Sequence, residues 1–164
     1  MSFILSTAEQ HAATALFARI LDAPHRLLAL DHADSEDLLE QLRVMARHSG
    51  QAIYLWRSGS GMSSLRDMHV MIPHCQRLGS ALRYIQQSQH FGVYLLQGIE
   101  PPLASLDMLA LHQLARAVST HLLRIVLLDA PVQVIDQLGD AVTSLRVDEP
   151  DSQRPRLRDG RWLL

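Results

Sequence analysis

Short apolar runs alternate with segments of helical periodicity along almost the whole chain, and that alternation limits the fold more than any other feature. The runs are Arg26-Leu-Leu-Ala-Leu30, Ala52-Ile-Tyr-Leu-Trp56, Gly92-Val-Tyr-Leu-Leu96, Arg124-Ile-Val-Leu-Leu128 and Ala141 to Val147. Most are continuously apolar rather than alternating, as strands are when both faces of a sheet are covered. Strands separated by helices imply βαβ units and a parallel sheet. The expected fold is therefore α/β: a mainly parallel five-stranded sheet with helices on both faces.

The intervening helices carry their own signals. Residues 8 to 21 place Ala13, Leu16, Phe17, Ile20 and Leu21 at helical spacing, and Pro24 closes that helix. Asp34 and Ser35 supply an N-cap, with Glu36 and Asp37 in the first turn, where the helix dipole favours negative charge. That helix buries Leu38, Leu39, Leu42, Met45 and Ala46 and ends on a glycine cap at Gly50. A helix from about Pro73 to Gln87 buries Leu78, Leu82 and Ile85. Ser105 caps a long helix whose inner face carries Met108, Leu111, Leu114, Ala115, Val118 and Leu122. Residues 58 to 72, rich in Ser, Gly and Met, read as a loop, and Val132 to Leu138 as a short turn or helix.

From Glu149 the composition changes, so the chain divides into an α/β domain over residues 1–148 and an Arg-rich tail over residues 149–164. In the tail, Arg156-Leu-Arg-Asp159 fits Arg-x-x-Asp, and Arg154 with Arg158 fits Arg-x-x-x-Arg. Guanidinium groups in such patterns fork onto phosphates and stack on guanine in cyclic-dinucleotide binders. The plainer reading is a solvated or partner-docking tail. Trp162, Leu163 and Leu164 are expected to dock on the domain as an edge strand or clip, in preference to forming a free linear motif.

Composition excludes several chemistries. All 15 basic residues are Arg, which removes Schiff bases, lysine general bases and the Walker A lysine. A single cysteine, Cys75, removes an internal disulfide and any multi-cysteine zinc site. A net charge of −2 leaves no electrostatic footprint for nucleic acid or an anionic membrane. The apolar part of the N-terminus is too short for a signal peptide, and no apolar run approaches a membrane span. A soluble, cytoplasmic domain is expected.

Ligands of open parallel sheets bind beyond the carboxyl ends of the strands. After the first strand the chain reads Asp31-His-Ala-Asp-Ser-Glu-Asp37, with no glycine and four carboxylates that repel a polyphosphate. Gly59-x-Gly61 after the second strand lacks a third glycine and opens no helix, so it reads as a surface loop. Neither His69, His74 and Cys75 nor Asp31, His32 and Asp34 has zinc-motif spacing, and no metal site is assigned. Cys75 beside His74 reads as a small buried residue rather than a nucleophile. Asp31, Glu100 and Asp129 form either an acidic cluster for magnesium or acid–base work or, more plainly, a set of capping and solvated carboxylates. No catalytic or cofactor-binding residue is assigned. The candidate partner or ligand contacts are Arg57, Arg154, Arg156, Arg158, Asp159 and Trp162.

From Arg26 to Val147 the order of elements resembles the degenerate, Walker A-lacking N-terminal RecA-like domain of certain bacterial and chloroplast-encoded AAA-type ATPases. The matching pieces are Leu27-Leu-Ala-Leu30 before an acidic helix start, and Ile53-Tyr-Leu-Trp56 with Gly59 or Gly61 downstream. Ala81-Leu-Arg-Tyr-Ile85, Gly92-Val-Tyr-Leu-Leu96, and Ile125-Val-Leu-Leu128 followed by Ala130-Pro131 complete the set. In that family the domain precedes the working ATPase domain. The resemblance implies a RecA-like, P-loop-type fold without a P-loop, kept for interaction, with no ATPase residues to carry over and no catalytic half in this chain. This chain departs from the pattern after the third strand, where Gln97-Gly98 replaces an acidic residue. The function expected is a non-catalytic regulatory or scaffolding module acting through protein partners, a homo-oligomer among them, in a bacterial assembly. The alternative is a nucleotide or cyclic-dinucleotide sensor using Arg57 or the tail arginines. A general hydrolase ranks last for want of an assembled nucleophile and base.

Overall fold

A computed structural model describes residues 7–31, 34–146, 157–158 and 161–162. The main body contains five α-helices: α1 (Thr7–Asp22), α2 (Ser35–Ser49), α3 (Leu78–Gln87), α4 (Ser105–Arg116) and α5 (Val132–Leu138). Its strands are β1 (Leu27–Asp31), β2 (Ile53–Arg57), β3 (Gly61–Ser64), β4 (Met71–Ile72), β5 (Gly92–Gln97), β6 (Leu123–Leu128) and β7 (Thr143–Arg146). They form one sheet in the order β4-β3-β2-β5-β6-β1-β7. The run β2-β5-β6-β1-β7 is parallel throughout, with Tyr54 opposite Tyr94, Leu95 opposite Val126, Ala29 opposite Leu127, and Leu30 opposite Leu145.

The expected α/β sheet is therefore present, but it has seven strands rather than five, and two of its pairings are antiparallel. Both additional strands lie in the segment read as a loop. A tight turn, closed by Ser60 N–H to the Arg57 carbonyl (3.1 Å), reverses the chain so that β3 runs back along β2. Gly-Met-Ser-Ser has no strand signature of its own; the free edge of β2 supplies the pairing. The one buried polar side chain of the described core, Ser63, lies here, with its hydroxyl 3.6 Å from the Met68 sulfur.

Two helix boundaries also differ from expectation. Residues 73–77 precede α3 as a turn in which His74 takes φ 62°, and the Cys75 carbonyl accepts the Trp56 indole N–H (3.0 Å). α4 stops at Arg116, which leaves Val118 97% exposed instead of on an inner face. Beyond that point the Leu122 carbonyl accepts from Gly92 N–H (3.2 Å), and the Arg26 guanidinium holds the Ser119 hydroxyl (2.6 Å). These bonds commit the segment to entering β6.

Connections divide the helices between the two faces. α1 and α2 cover one face over Leu28, Leu30, Ile53, Leu55, Val93, Leu95, Val126 and Leu128. α3, α4 and α5 cover the other over Leu27, Trp56, Tyr94, Leu96, Ile125 and Leu127. Consecutive residues of each central strand thus enter opposite cores, which is why those strands are apolar at every position. Arg124 ties α1 to this sheet. Its guanidinium donates to the carbonyls of Ile20 (3.1 Å), Leu21 (2.9 Å) and Ala23 (3.0 Å), satisfying groups that the helix end leaves open. Desolvation, and then the nearby Arg26, lower the Arg124 pKa.

Two further strands, β8 (Leu157–Arg158) and β9 (Arg161–Trp162), pair antiparallel with each other as a separate two-stranded sheet. Of the expected edge strand or clip, the edge strand on the main sheet is not formed among the described residues. The side chains of Arg158 and Trp162, and residues Arg154, Arg156 and Asp159 altogether, lie outside the described residues.

Candidate functional site at the carboxyl edge of the sheet

All five parallel strands end at one edge, where Asp31, Arg57, Gln97, Asp129 and Arg146 lie. The chain leaves β1 toward the α2 face and leaves β6 toward the α5 face, so the sheet's topological switch point falls between these neighbours. A ligand of such a sheet occupies that crevice, with an anionic group on the helix that opens after β1.

In this chain the helix start is occupied by its own carboxylates. Asp34, in extended backbone (φ −135°), accepts the Asp37 N–H at 3.0 Å and so caps α2. At the other end Gly50 takes φ 73° and donates to the Ala46 carbonyl (2.8 Å), so both caps read from the sequence are present. Across the crevice, Asp129 adopts a left-handed backbone (φ 51°) after its N–H bonds the Leu30 carbonyl (2.9 Å). Its carboxylate accepts the Ser35 hydroxyl, which bridges the start of α2 to the end of β6. This bridge was not foreseen; the only hint was a hydroxyl residue beside the cap.

Arg57 is placed at the same edge but is engaged internally. Its Nε donates to Gln97 Oε1 (2.9 Å), and its terminal nitrogen lies 3.1 Å from Glu36 Oε2. The guanidinium therefore clamps the ends of β2 and β5 to the first turn of α2. Gln97 is the neutral acceptor of this clamp.

The other candidate groups separate. Asp31 and Asp129 share the crevice, whereas Glu100 lines a different cavity of about 480 Å³ with Trp56, Ser58, Arg77 and Asp107. Gly59 (φ 82°) and Gly61 (φ 96°) shape the β2–β3 reversal and open a strand, not a helix. Cys75 is buried and burial raises its pKa, which leaves it a protonated thiol at neutral pH. His69 and His74 are exposed. Among the described residues no group of three His, Cys, Asp or Glu could hold a metal ion, and His32 lies outside them. No helix among them is long and apolar enough to cross a membrane.

A mostly parallel sheet, covered on both faces and carrying a helix start at its switch point, defines an α/β domain of the kind found in AAA-type ATPases. Residues 13–147 match the model of the SpoVK-like AAA ATPase N-terminal domain, and the chain belongs to that family. No curated protein matches the chain.

Proposed function

We propose that this domain is a non-catalytic RecA-like module that regulates or scaffolds a larger bacterial assembly through protein contacts in the cytoplasm. The observation that carries this reading is the position of Asp34. Its carboxylate takes the α2 N–H that a phosphate would need, and Asp129 closes the opposite wall of the same crevice. A polyphosphate entering there meets fixed negative charge at both walls. Lysine, which in P-loop enzymes neutralises that charge, is absent from the chain.

Steady-state phosphate release from pure protein, with ATP or GTP and magnesium, tests the proposal and should not exceed the no-protein blank. Turnover that persists through purification and disappears in Asp34→Ala or Asp129→Ala would refute it. The sensor reading is disfavoured at Arg57, whose guanidinium is held by Gln97 and Glu36. A thermal-shift screen with nucleotides and cyclic dinucleotides addresses it directly. A ligand at 100 times its dissociation constant adds about 2.7 kcal/mol, whereas no shift is expected here.

A further inference from the structure

A cavity of about 270 Å³ opens at the amino edge of the sheet, opposite the crevice described above. It lies between the ends of α3 and α4 and the starts of β1 and β6. Its floor is apolar, with Ile85, Leu114 and Leu123 each exposed by 3% or less. Val118, 97% exposed, stands on its rim just beyond the end of α4. The polar lining is Arg26, Gln86, Ser88, Gln113, Ser119 and His121, with no carboxylate among them. Asp22, whose charge acts on Arg124, is not on this wall.

The fold uses only part of Arg26. One terminal nitrogen donates to Ser119 Oγ (2.6 Å), and that hydroxyl donates on to the His121 carbonyl (2.8 Å). The other terminal nitrogen and Nε have no partner among the described residues, and Arg26 forms no ion pair among them. The half-buried guanidinium thus keeps most of its donors and an unbalanced charge, which Arg124 feels. Nor do the helix ends take up those donors. At α3 the Ser88 N–H closes on the Ile85 carbonyl (3.2 Å), and at α4 the Ala117 N–H closes on the Gln113 carbonyl (2.9 Å).

We infer that this cavity binds a small organic monocarboxylate, its carboxylate forked onto Arg26 and its apolar body on Ile85, Leu114 and Leu123. The chemistry of the lining selects that class. A guanidinium presents parallel N–H groups that match a carboxylate, and its single positive charge balances a single negative one. Two helix C-termini end beside the cavity and carry partial negative charge, which works against a phosphate dianion. At about 270 Å³ the cavity falls below the range of about 300–1,000 Å³ typical of drug-sized ligands, so the apolar body is short. The site shares no residue with the crevice of Asp34 and Asp129, and it stands or falls independently of the role proposed for the domain.

The test titrates hexanoate into the isotope-labelled full chain and reads backbone amide signals by NMR. Hexanoate should bind with a dissociation constant of about 1 mM or tighter and saturably move the signals of Ser88, Ser119 and their neighbours. Hexanol, which has the same body and no charge, and inorganic phosphate should each bind at least about ten-fold more weakly. Arg26→Gln removes the fork and should weaken hexanoate about ten-fold or more at unchanged far-UV circular dichroism. Gln113→Glu supplies a second arm. It still accepts the Gln86 amide and leaves the Arg26–Ser119 bond in place, but it sets a like charge beside the ligand and should weaken hexanoate in the same direction. If Arg26→Gln does not fold, Gln113→Glu decides alone. Absence of a saturable shift by about 10 mM hexanoate overturns the inference. So does hexanoate binding that both variants keep, which puts the ligand elsewhere. Hexanol or phosphate binding as tightly as hexanoate overturns it as well, because the guanidinium then selects no carboxylate.

Discussion

Gly92→Ala is expected to destabilise the protein even though alanine is usually the better residue in a strand. Gly92 opens β5 with its N–H on the Leu122 carbonyl (3.2 Å), and its backbone lies outside the left-handed region, so alanine meets no strain in φ. The obstacle is an aromatic ring. A Cβ on Gly92 would lie 2.9 Å from Tyr94 Cε2, 3.2 Å from Cζ and 3.3 Å from the phenolic oxygen. Carbon pairs are comfortable at about 3.5–4.0 Å, so the ring must move by roughly 0.6 Å or more. It has little room to do so. Tyr94 is 2% exposed, stacks on Tyr54 at a centroid distance of 5.0 Å, and has its hydroxyl 3.3 Å from Ser88 Oγ.

Overpacking of this kind costs about 1–3 kcal/mol. The stiffer unfolded chain returns about 0.4–1 kcal/mol, leaving a net loss of about 1–2 kcal/mol. For a domain of this size that is a drop of roughly 2–8 °C in Tm. Chemical denaturation of a double-mutant cycle with Tyr94→Leu isolates the cause. Without the ring the same alanine should be neutral or stabilising, with a coupling of about 1 kcal/mol or more. A Gly92→Ala protein that melts at or above the wild-type temperature would refute the reasoning.

Three other outcomes are expected. Burial, which outweighs the Ser88 hydrogen bond, pushes the Tyr94 pKa up to about 12, so the folded state holds its proton more tightly than the unfolded chain does near 10. That stability is whole below pH 10 and is lost as pH rises toward 12; Tyr94→Phe should flatten this part of a stability-versus-pH curve. Arg124→Met strands three carbonyls at the end of α1 and should cost about 2–4 kcal/mol in urea denaturation, with Arg124→Lys between it and wild type because an ammonium cannot fork to all three. Val126→Asp puts an unpaired carboxylate at a fully buried position in the centre of the sheet, costs several kcal/mol and should leave little folded protein on expression; wild-type stability would contradict the register of β5, β6 and β1.

The legible parts of the chain share a physical reason: their signals are local. The caps of α2 depend on residues within four positions of Asp34 and Gly50, and the parallel strands announce themselves because both of their faces must be apolar. What was misread depends on distant partners. β3 is a strand because β2 offers it an edge, not because Gly-Met-Ser-Ser favours one. Val118 and Leu122 continue the helical spacing of α4, yet a hydrogen bond from Gly92 and the demands of β6 end that helix at Arg116. Pattern alone cannot rank those competing claims.

The carboxyl edge shows the same division within a single site. Sequence was sufficient to see that four carboxylates and no glycine run from the last residue of β1 into α2, which is the ground for expecting a phosphate to be repelled there. It was not sufficient to interpret Arg57, which looks like a free cation at a ligand edge until Glu36, 21 residues away, and Gln97, 40 residues away, are folded against it. The neutrality of Gln97 then has a structural consequence. A carboxylate at that position would form an ion pair with Arg57 and compete with Glu36, whereas the amide accepts one hydrogen bond and leaves the guanidinium's second arm for α2. Neutral Gln97, capping Asp34 and bridged Asp129 each turn part of the crevice toward holding the fold together.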